Sequence, residues 1–321
     1  MNWIDSVLPS FWPSLWQSLW PIAPRHWVLL VFIAAALHAH FRGKMRFGLV
    51  RALTDFTVLI APFNSLMVLF SKVGREPYLD PARFPELKVL QDNWQVIRDE
   101  ALALDDQGGI KAANGYTDLG FNSFFRTGWK RFYLKWYGVD QPSAAQKCPK
   151  TVALINQIPG IKAAMFASLP PGARLVRHRD PYAGSLRYHM GLITPNDPGC
   201  FIDVDGQRYH WKDGEVVMFD ETYIHYAENT TQHPRIILFA DIERPVYTPV
   251  VRWINRLFST LVMKASATEN EPGEKIGALN KAFGQFYKLR QKAKDFKATN
   301  RTGYYVGKWV LIIGLLLAIF Y

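Results

Sequence analysis

The sequence predicts a mainly β protein, a sandwich, barrel or jelly roll, flanked by helices and by apolar segments at both ends. Three observations carry this. From 163 to 245, alternating or apolar runs recur about every ten residues between turns marked by Gly and Pro, as in packed antiparallel sheets. Uncharged apolar runs lie near both termini. With 321 residues, 49% hydrophobic and 14% aromatic, the chain is too apolar to be disordered and long enough for a substantial core.

The N-terminal stretch 1–27 sets Trp3, Trp12, Trp16, Trp20 and Trp27 among Pro9, Pro13, Pro21 and Pro24. The amphipathic indole suits a membrane interface. The runs Trp27–Leu37 and Trp309–Tyr321 are uncharged but shorter than the roughly 20 residues that span hydrocarbon. Flanking aromatics and a snorkelling Lys308 extend them to a marginal span, so each reads as a membrane segment or a buried core helix. Four prolines and no basic leader argue against a cleaved signal. Arg42, Lys44, Arg46 and Arg51 follow the first run, and a Lys/Arg-rich stretch from Lys288 to Lys308 precedes the last. The positive-inside rule then places the intervening body in the cytoplasm. Two cysteines, Cys148 and Cys200, cannot build a disulfide scaffold and fit a reducing compartment.

Thr57–Phe70 is apolar but carries Pro62 and Asn64, which predicts a re-entrant or surface helix pair. In 250–264, Val250, Trp253, Ile254, Leu257, Phe258 and Leu261 share one helical face, with Arg252 and Arg256 elsewhere, a basic amphipathic helix. Both segments fit a membrane interface or packing on the body. The chain thus divides into a membrane-anchoring region (1–75), a helical connector (76–117), a β domain (118–249), a basic helical region (250–303) and a C-terminal membrane segment (304–321).

Within the β domain, Ala163–Leu169, Ser185–Ile193, Cys200–Val204, Gln207–Trp211, Glu215–Phe219 and Arg235–Ile242 read as strands. Asp205-Gly206 forms a two-residue hairpin turn. Lys plus Arg number 38 against 27 Asp plus Glu, a formal charge of +11 that calls for an anionic partner. Arg and Lys alternate with aromatics over 121–137, but no nucleic-acid motif accompanies them and paired strands give the same alternation. An anionic membrane is the better reading.

Four features on this body carry chemistry. His178 and Asp180 stand at i and i+2, which on a strand puts both on one face. His225 follows between two strands. Two imidazoles and one carboxylate make the facial triad of non-haem Fe(II) oxygenases, which leaves sites for a bidentate 2-oxo acid and dioxygen. Arg235 opens a strand and can take a distal carboxylate bidentately, and Arg187 and His189 are further co-substrate anchors. In the plainer reading, His178 and Asp180 are an ion pair and His225 packs in a loop.

The block from His178 to Pro195, with Trp211–Asp220, His225 and Arg235, resembles the aspartyl/asparaginyl β-hydroxylase family. The resemblance extends through His40–Lys44, Ala61–Val73 and Gly120–Tyr137, and runs to the bacterial members that hydroxylate lipid A. It implies a double-stranded β-helix of the jelly-roll or cupin type, with flanking helices and terminal membrane helices. It implies metal binding by His178 and His225, and co-substrate contacts at Arg187, His189, Arg235 and, with one residue deleted, Ser168. Asp180 replaces the glycine of the animal members and is expected as the third ligand. The implied activity is Fe(II)- and 2-oxoglutarate-dependent hydroxylation, with dioxygen, at C2 of a secondary acyl chain of lipid A at the bacterial inner membrane. Its headgroup phosphates would meet Lys130, Arg131 and Lys135. Another acyl lipid, such as an ornithine lipid, or a peptidyl Asp or Asn is the alternative substrate. No obligate protein partner is expected.

Overall fold

The structure is a computed structural model that describes residues 24–53, 55–113 and 117–320. Most of the Trp-rich segment 1–27 lies outside them. Helices α1 (Pro24–Phe41) and α2 (Ala61–Leu69) pack on one another, with the short helix Leu49–Leu53 between them in the chain. Pro62 stands in the first turn of α2, where its missing N–H costs nothing, and the short helix Phe56–Leu59 precedes it. Strand β1 (Tyr78–Leu79), helix α3 (Trp94–Asp106), strand β2 (Lys130–Trp136) and helix α4 (Pro149–Asn156) lead into the main β run.

Eight strands follow: β3 (Ile161–Leu169), β4 (Arg174–His178), β5 (Ser185–Ile193), β6 (Cys200–Val204), β7 (Gln207–His210), β8 (Val216–Phe219), β9 (His225–Asn229) and β10 (Arg235–Glu243). They form a six-stranded sheet, β1-β8-β5-β10-β3-β2, and a four-stranded sheet, β4-β9-β6-β7. Every ladder is antiparallel. Asp205 and Gly206 both take positive φ, 54° and 84°, the conformation that a tight β6–β7 hairpin needs.

Side-chain alternation gives the large sheet two buried faces. Phe166, Leu186, Tyr188, Met190, Leu238 and Ala240 face outward onto Leu90, Ile97, Ala101, Leu104 and Ile155. Met165, Ala167, Val217, Phe219, Ile237 and Phe239 face inward with Ile202, Val204, Trp211 and Ala227. Residues 85–110, expected as a connector, supply much of the outer core, and α3 packs directly on β5.

Among the described residues no helix is long and apolar enough to cross a membrane, so the expected terminal membrane helices are not found as spans. α1 has 18 residues, a rise of about 27 Å, and carries His38 and His40 in its last turn. The last helix, Arg301–Phe320, contains Lys308, and its apolar part is only the run beyond it. The amphipathic helix is α5 (Pro249–Phe258). Its expected single apolar face is divided. Ile254 and Phe258 pack inward, Phe258 stacking on Phe63 with centroids 4.3 Å apart, while Val250, Trp253 and Leu257 remain exposed.

Candidate active site

His178 and His225 are cross-strand partners on β4 and β9, which sets their ring centroids 4.2 Å apart. His225 therefore opens a strand rather than lying between two. The Nδ1 atom of His178 lies 2.7 Å from the Val176 carbonyl oxygen, and that of His225 lies 2.9 Å from the Tyr223 carbonyl oxygen. Each carbonyl holds a proton on Nδ1, so both Nε2 atoms are free to ligate. Burial, with His178 and Arg187 nearby, pushes His225 down to about 3 despite Asp180. Burial also lowers His178, against the pull of Asp180. Both rings are neutral at neutral pH, the form that binds metal.

Asp180 does not reach this site by strand alternation, because β4 ends at His178. It is oriented from outside. Its N–H donates to the Glu221 carbonyl at 3.0 Å, and Arg187 donates to its Oδ2 at 2.8 Å. Ligand atoms of His178, Asp180 and His225 all fall within 4.8 Å of one another. Burial pushes the Asp180 carboxyl up, but Arg187, His225 and His178 together pull it below its ordinary range.

Arg187 lies on the inner face of β5 and is committed to carboxylates. It pairs with Asp180, with Glu221, and through Nε with Asp241 at 3.0 Å, while its guanidinium covers Phe239 at 3.7 Å. Three carboxylates around one guanidinium leave a formal excess of negative charge in a buried site. Burial accordingly pushes Asp241 up, even against Arg187. A divalent cation on the His178–Asp180–His225 set would balance that excess, so these residues fit a bound Fe(II).

Arg235 is the converse case. It is 2% exposed, its guanidinium stacks on Trp211 at 4.3 Å from the ring centroid, and its Nε is buried without a hydrogen-bond partner. Burial lowers it to about 10. Both ring nitrogens of His189 and the Trp211 Nε1 are also buried and unpartnered. Burial, then Arg187 and Arg235, hold His189 well below its ordinary value. All three side chains line the cavity that holds the metal-ligand set. A buried guanidinium without an anion is costly, and a carboxylate at this end of the cavity would accept from Arg235, from the Trp211 N–H and from the one N–H of His189.

Ser168 is not brought to the site. It pairs in register with Ile236, which belongs to the helix-facing side of the sheet, and its neighbour Ala167 lines the cavity instead. Arg131, expected to meet headgroups, is buried with its Nε on Asp118 at 3.0 Å. Sequence reasoning missed Glu221 and Asp241. Asp241 had a signal, since it lies six residues after Arg235 on the same strand face. Glu221 lies in a loop with none. Phe121, Phe124, Trp129, Leu175 and Ile202 close the cavity with an apolar wall.

A jelly-roll body carries a partly buried His-Asp-His set that could hold a metal ion, beside a cationic pocket. Residues 91–245 match the aspartyl/asparaginyl β-hydroxylase family. An ornithine lipid ester-linked acyl 2-hydroxylase of Rhizobium tropici is 36% identical over 203 residues, 62% of this chain and 72% of that protein. The human aspartyl/asparaginyl β-hydroxylase is 30% identical over 171 residues, 52% of this chain but only 22% of its own length. A Pseudomonas putida prolyl-4-hydroxylase structure covers 48% of this chain and 87% of its own, with 20% identity and a TM-score of 0.34, too distant to carry an argument. The chain belongs to the aspartyl/asparaginyl β-hydroxylase family and is a hydroxylase.

Proposed function

We propose that this protein is an Fe(II)- and 2-oxoglutarate-dependent dioxygenase that hydroxylates C2 of a secondary acyl chain of lipid A, with its catalytic body on the cytoplasmic side of a bacterial inner membrane. The observation that carries the co-substrate is Arg235, a buried guanidinium with no ion-pair partner among the described residues, beside a candidate three-ligand metal set. His178, Asp180 and His225 would hold Fe(II). Arg235 would take the distal carboxylate of 2-oxoglutarate, with His189 and the Trp211 N–H beside it. Bound iron with its co-substrate supplies the oxidation that puts one oxygen of dioxygen on a C–H bond, as 2-oxoglutarate becomes succinate and carbon dioxide.

The chain's own residues do the rest. The Val176 and Tyr223 carbonyls fix both imidazoles, and Arg187 fixes Asp180. Phe121, Phe124 and Trp129 exclude water and give an acyl chain apolar surface to pack on. Exposed apolar side chains along α1 and α5, among them Val31, Leu37, Val250 and Trp253, suit work at a lipid surface. The rhizobial relative favours a second reading, an ornithine lipid as the acyl-bearing substrate. Mass spectrometry of lipid extracts from cells with and without the protein separates these. One added oxygen on lipid A, lost in His178→Ala, is the expected result; addition to another lipid, or to none, refutes the lipid A assignment.

A further inference from the structure

A second polar cavity lies beside the metal set, between α1, α2 and the loop after β4. His38, Arg42, Asn64, Ser65, Arg179 and Thr222 line it. Arg179 is peptide-bonded to both His178 and Asp180. Its Nε is buried without a hydrogen-bond partner, its guanidinium lies 5.5 Å from the Phe47 ring, and no carboxylate is at ion-pair distance among the described residues. Arg42 is nine-tenths buried and its Nε is likewise unpartnered.

Three guanidiniums and three carboxylates gather here, but none of the carboxylates pairs with Arg179. Arg42 and Arg244 share the single carboxylate of Asp220, and Arg179 adds a third guanidinium. The two other acids nearby are already engaged. Asp55 caps Thr57, and Asp205 accepts the backbone N–H groups of Lys44 and Met45 at 2.9 and 2.8 Å. Arg179, half-buried and without an ion pair among the described residues, beside Arg42, which Asp220 and Thr222 hold in place, is a seat for a tetrahedral oxyanion.

The cavity's place in the fold says which oxyanion. His38 and Arg42 stand at the end of α1, just past its exposed apolar Leu29, Leu30, Ile33 and Leu37. Leu49, Val50, Phe56 and Leu59, on the following helices, are exposed as well. A cationic pocket at the end of an apolar helix is where a lipid's headgroup lies when its chains meet that helix. The pocket is also clamped to the metal loop. Asn64 of α2 donates to the Pro181 carbonyl at 2.7 Å and accepts the Ala183 N–H at 3.0 Å, and His38 lies 3.0 Å from the Ser65 hydroxyl.

We infer that Arg179 and Arg42 form a binding seat for a phosphoryl group of the lipid headgroup, next to the metal-ligand loop. This rests on the acyl-lipid reading and sharpens it, because an ornithine lipid carries no phosphate. The seat is a specificity site for a phosphorylated lipid.

The test uses the full chain and phosphatidylcholine vesicles doped with phosphatidic acid or, at matched surface charge, with oleate. The wild type is expected to prefer phosphatidic acid. R179Q is expected to lose at least about tenfold of that binding, the effect of one charge-assisted cation, and R179K to keep most of it. Equal binding of wild type to both vesicles overturns the seat. So does R179Q with an unchanged preference and intact Mn(II) binding. Displacement by free inorganic phosphate makes it a general phosphate seat; preference without displacement makes it one for bilayer-borne phosphoryl groups. If R179Q loses the preference but no lipid gains oxygen, the seat stands and the hydroxylation reading falls. If lipid A gains oxygen and the preference is absent, the reverse holds.

Discussion

Replacing Arg235 with Met is expected to stabilise the metal-free protein while destroying its hold on 2-oxoglutarate. The guanidinium falls from 12.5 to about 10 through burial. A base whose folded pKa lies below its unfolded value opposes folding at every pH below both, here by about 3 kcal/mol at neutral pH. Met keeps much of the stem's packing but loses the contact with Trp211, worth about 1–2 kcal/mol. The balance is a gain of about 1–2 kcal/mol, or about 2–8 °C in melting midpoint. Most core substitutions move the other way.

The same change removes the buried guanidinium proposed to take the distal carboxylate. Losing a desolvated charge-assisted pair costs about 2–4 kcal/mol, about 30- to 1000-fold in Kd. Thermal melts in chelator, and in Mn(II) with and without 2-oxoglutarate, read both effects on one sample. A lower midpoint for R235M in chelator would refute the buried-cation argument. A co-substrate-induced rise as large as in wild type would refute the anchor.

Three further outcomes follow from the geometry. Ser168→Ala should leave the KM for 2-oxoglutarate within about twofold, since residue 168 points to the helix side of the sheet; a large rise would mean that the strand register is wrong. Glu221→Gln should weaken Mn(II) binding about tenfold, through Arg187 and Asp180, with little change at Arg235; equal losses of metal and co-substrate would contradict that separation. Asp220 is pushed up by burial but pulled well below its ordinary range by Arg244 and Arg42. Its folded pKa lies below its unfolded one, so its stabilisation is full at neutral pH and fades as pH falls below about 4. D220N should cost about 3–5 kcal/mol at pH 7 and progressively less on acidification; urea midpoints whose difference does not change with pH would sink that account.

Periodicity read most of the barrel. The run from Cys200 to Trp211, with its Asp-Gly turn, is the hairpin that the structure contains, and the long strand from Arg235 keeps its predicted start. Spacing also brought out His178 and His225, but not their pairing, because β4 is short, mostly exposed and irregular in register. Ser168 shows the limit of carrying residues over by similarity: one residue of slip on a strand exchanges the two faces, and both are buried here, so burial patterning could not fix the register. The terminal runs were legible as apolar helices. Their membrane role was not, because α1 is short and ends in histidines rather than in more hydrocarbon.

Arg187 bears on the order in which the site fills. As a co-substrate contact it would have to release at least one acid, and each of its three carboxylates is buried or nearly so. It serves better as the centre of an acidic cluster that holds Asp180 in place. That cluster carries surplus negative charge in the cavity that Arg235 also lines, where the proposed dicarboxylate would sit. Arg235 would offset one end of that ligand, and the other would then share the cavity with Asp180. A divalent cation removes the conflict, since it cancels the surplus and attracts the near carboxylate. 2-Oxoglutarate should therefore bind at least about tenfold more weakly in chelator than in Mn(II), while Mn(II) binds without it. Isothermal titration in both orders checks this; a Kd for 2-oxoglutarate that ignores the metal would show that Arg187, after all, swings away from its acids to meet the co-substrate.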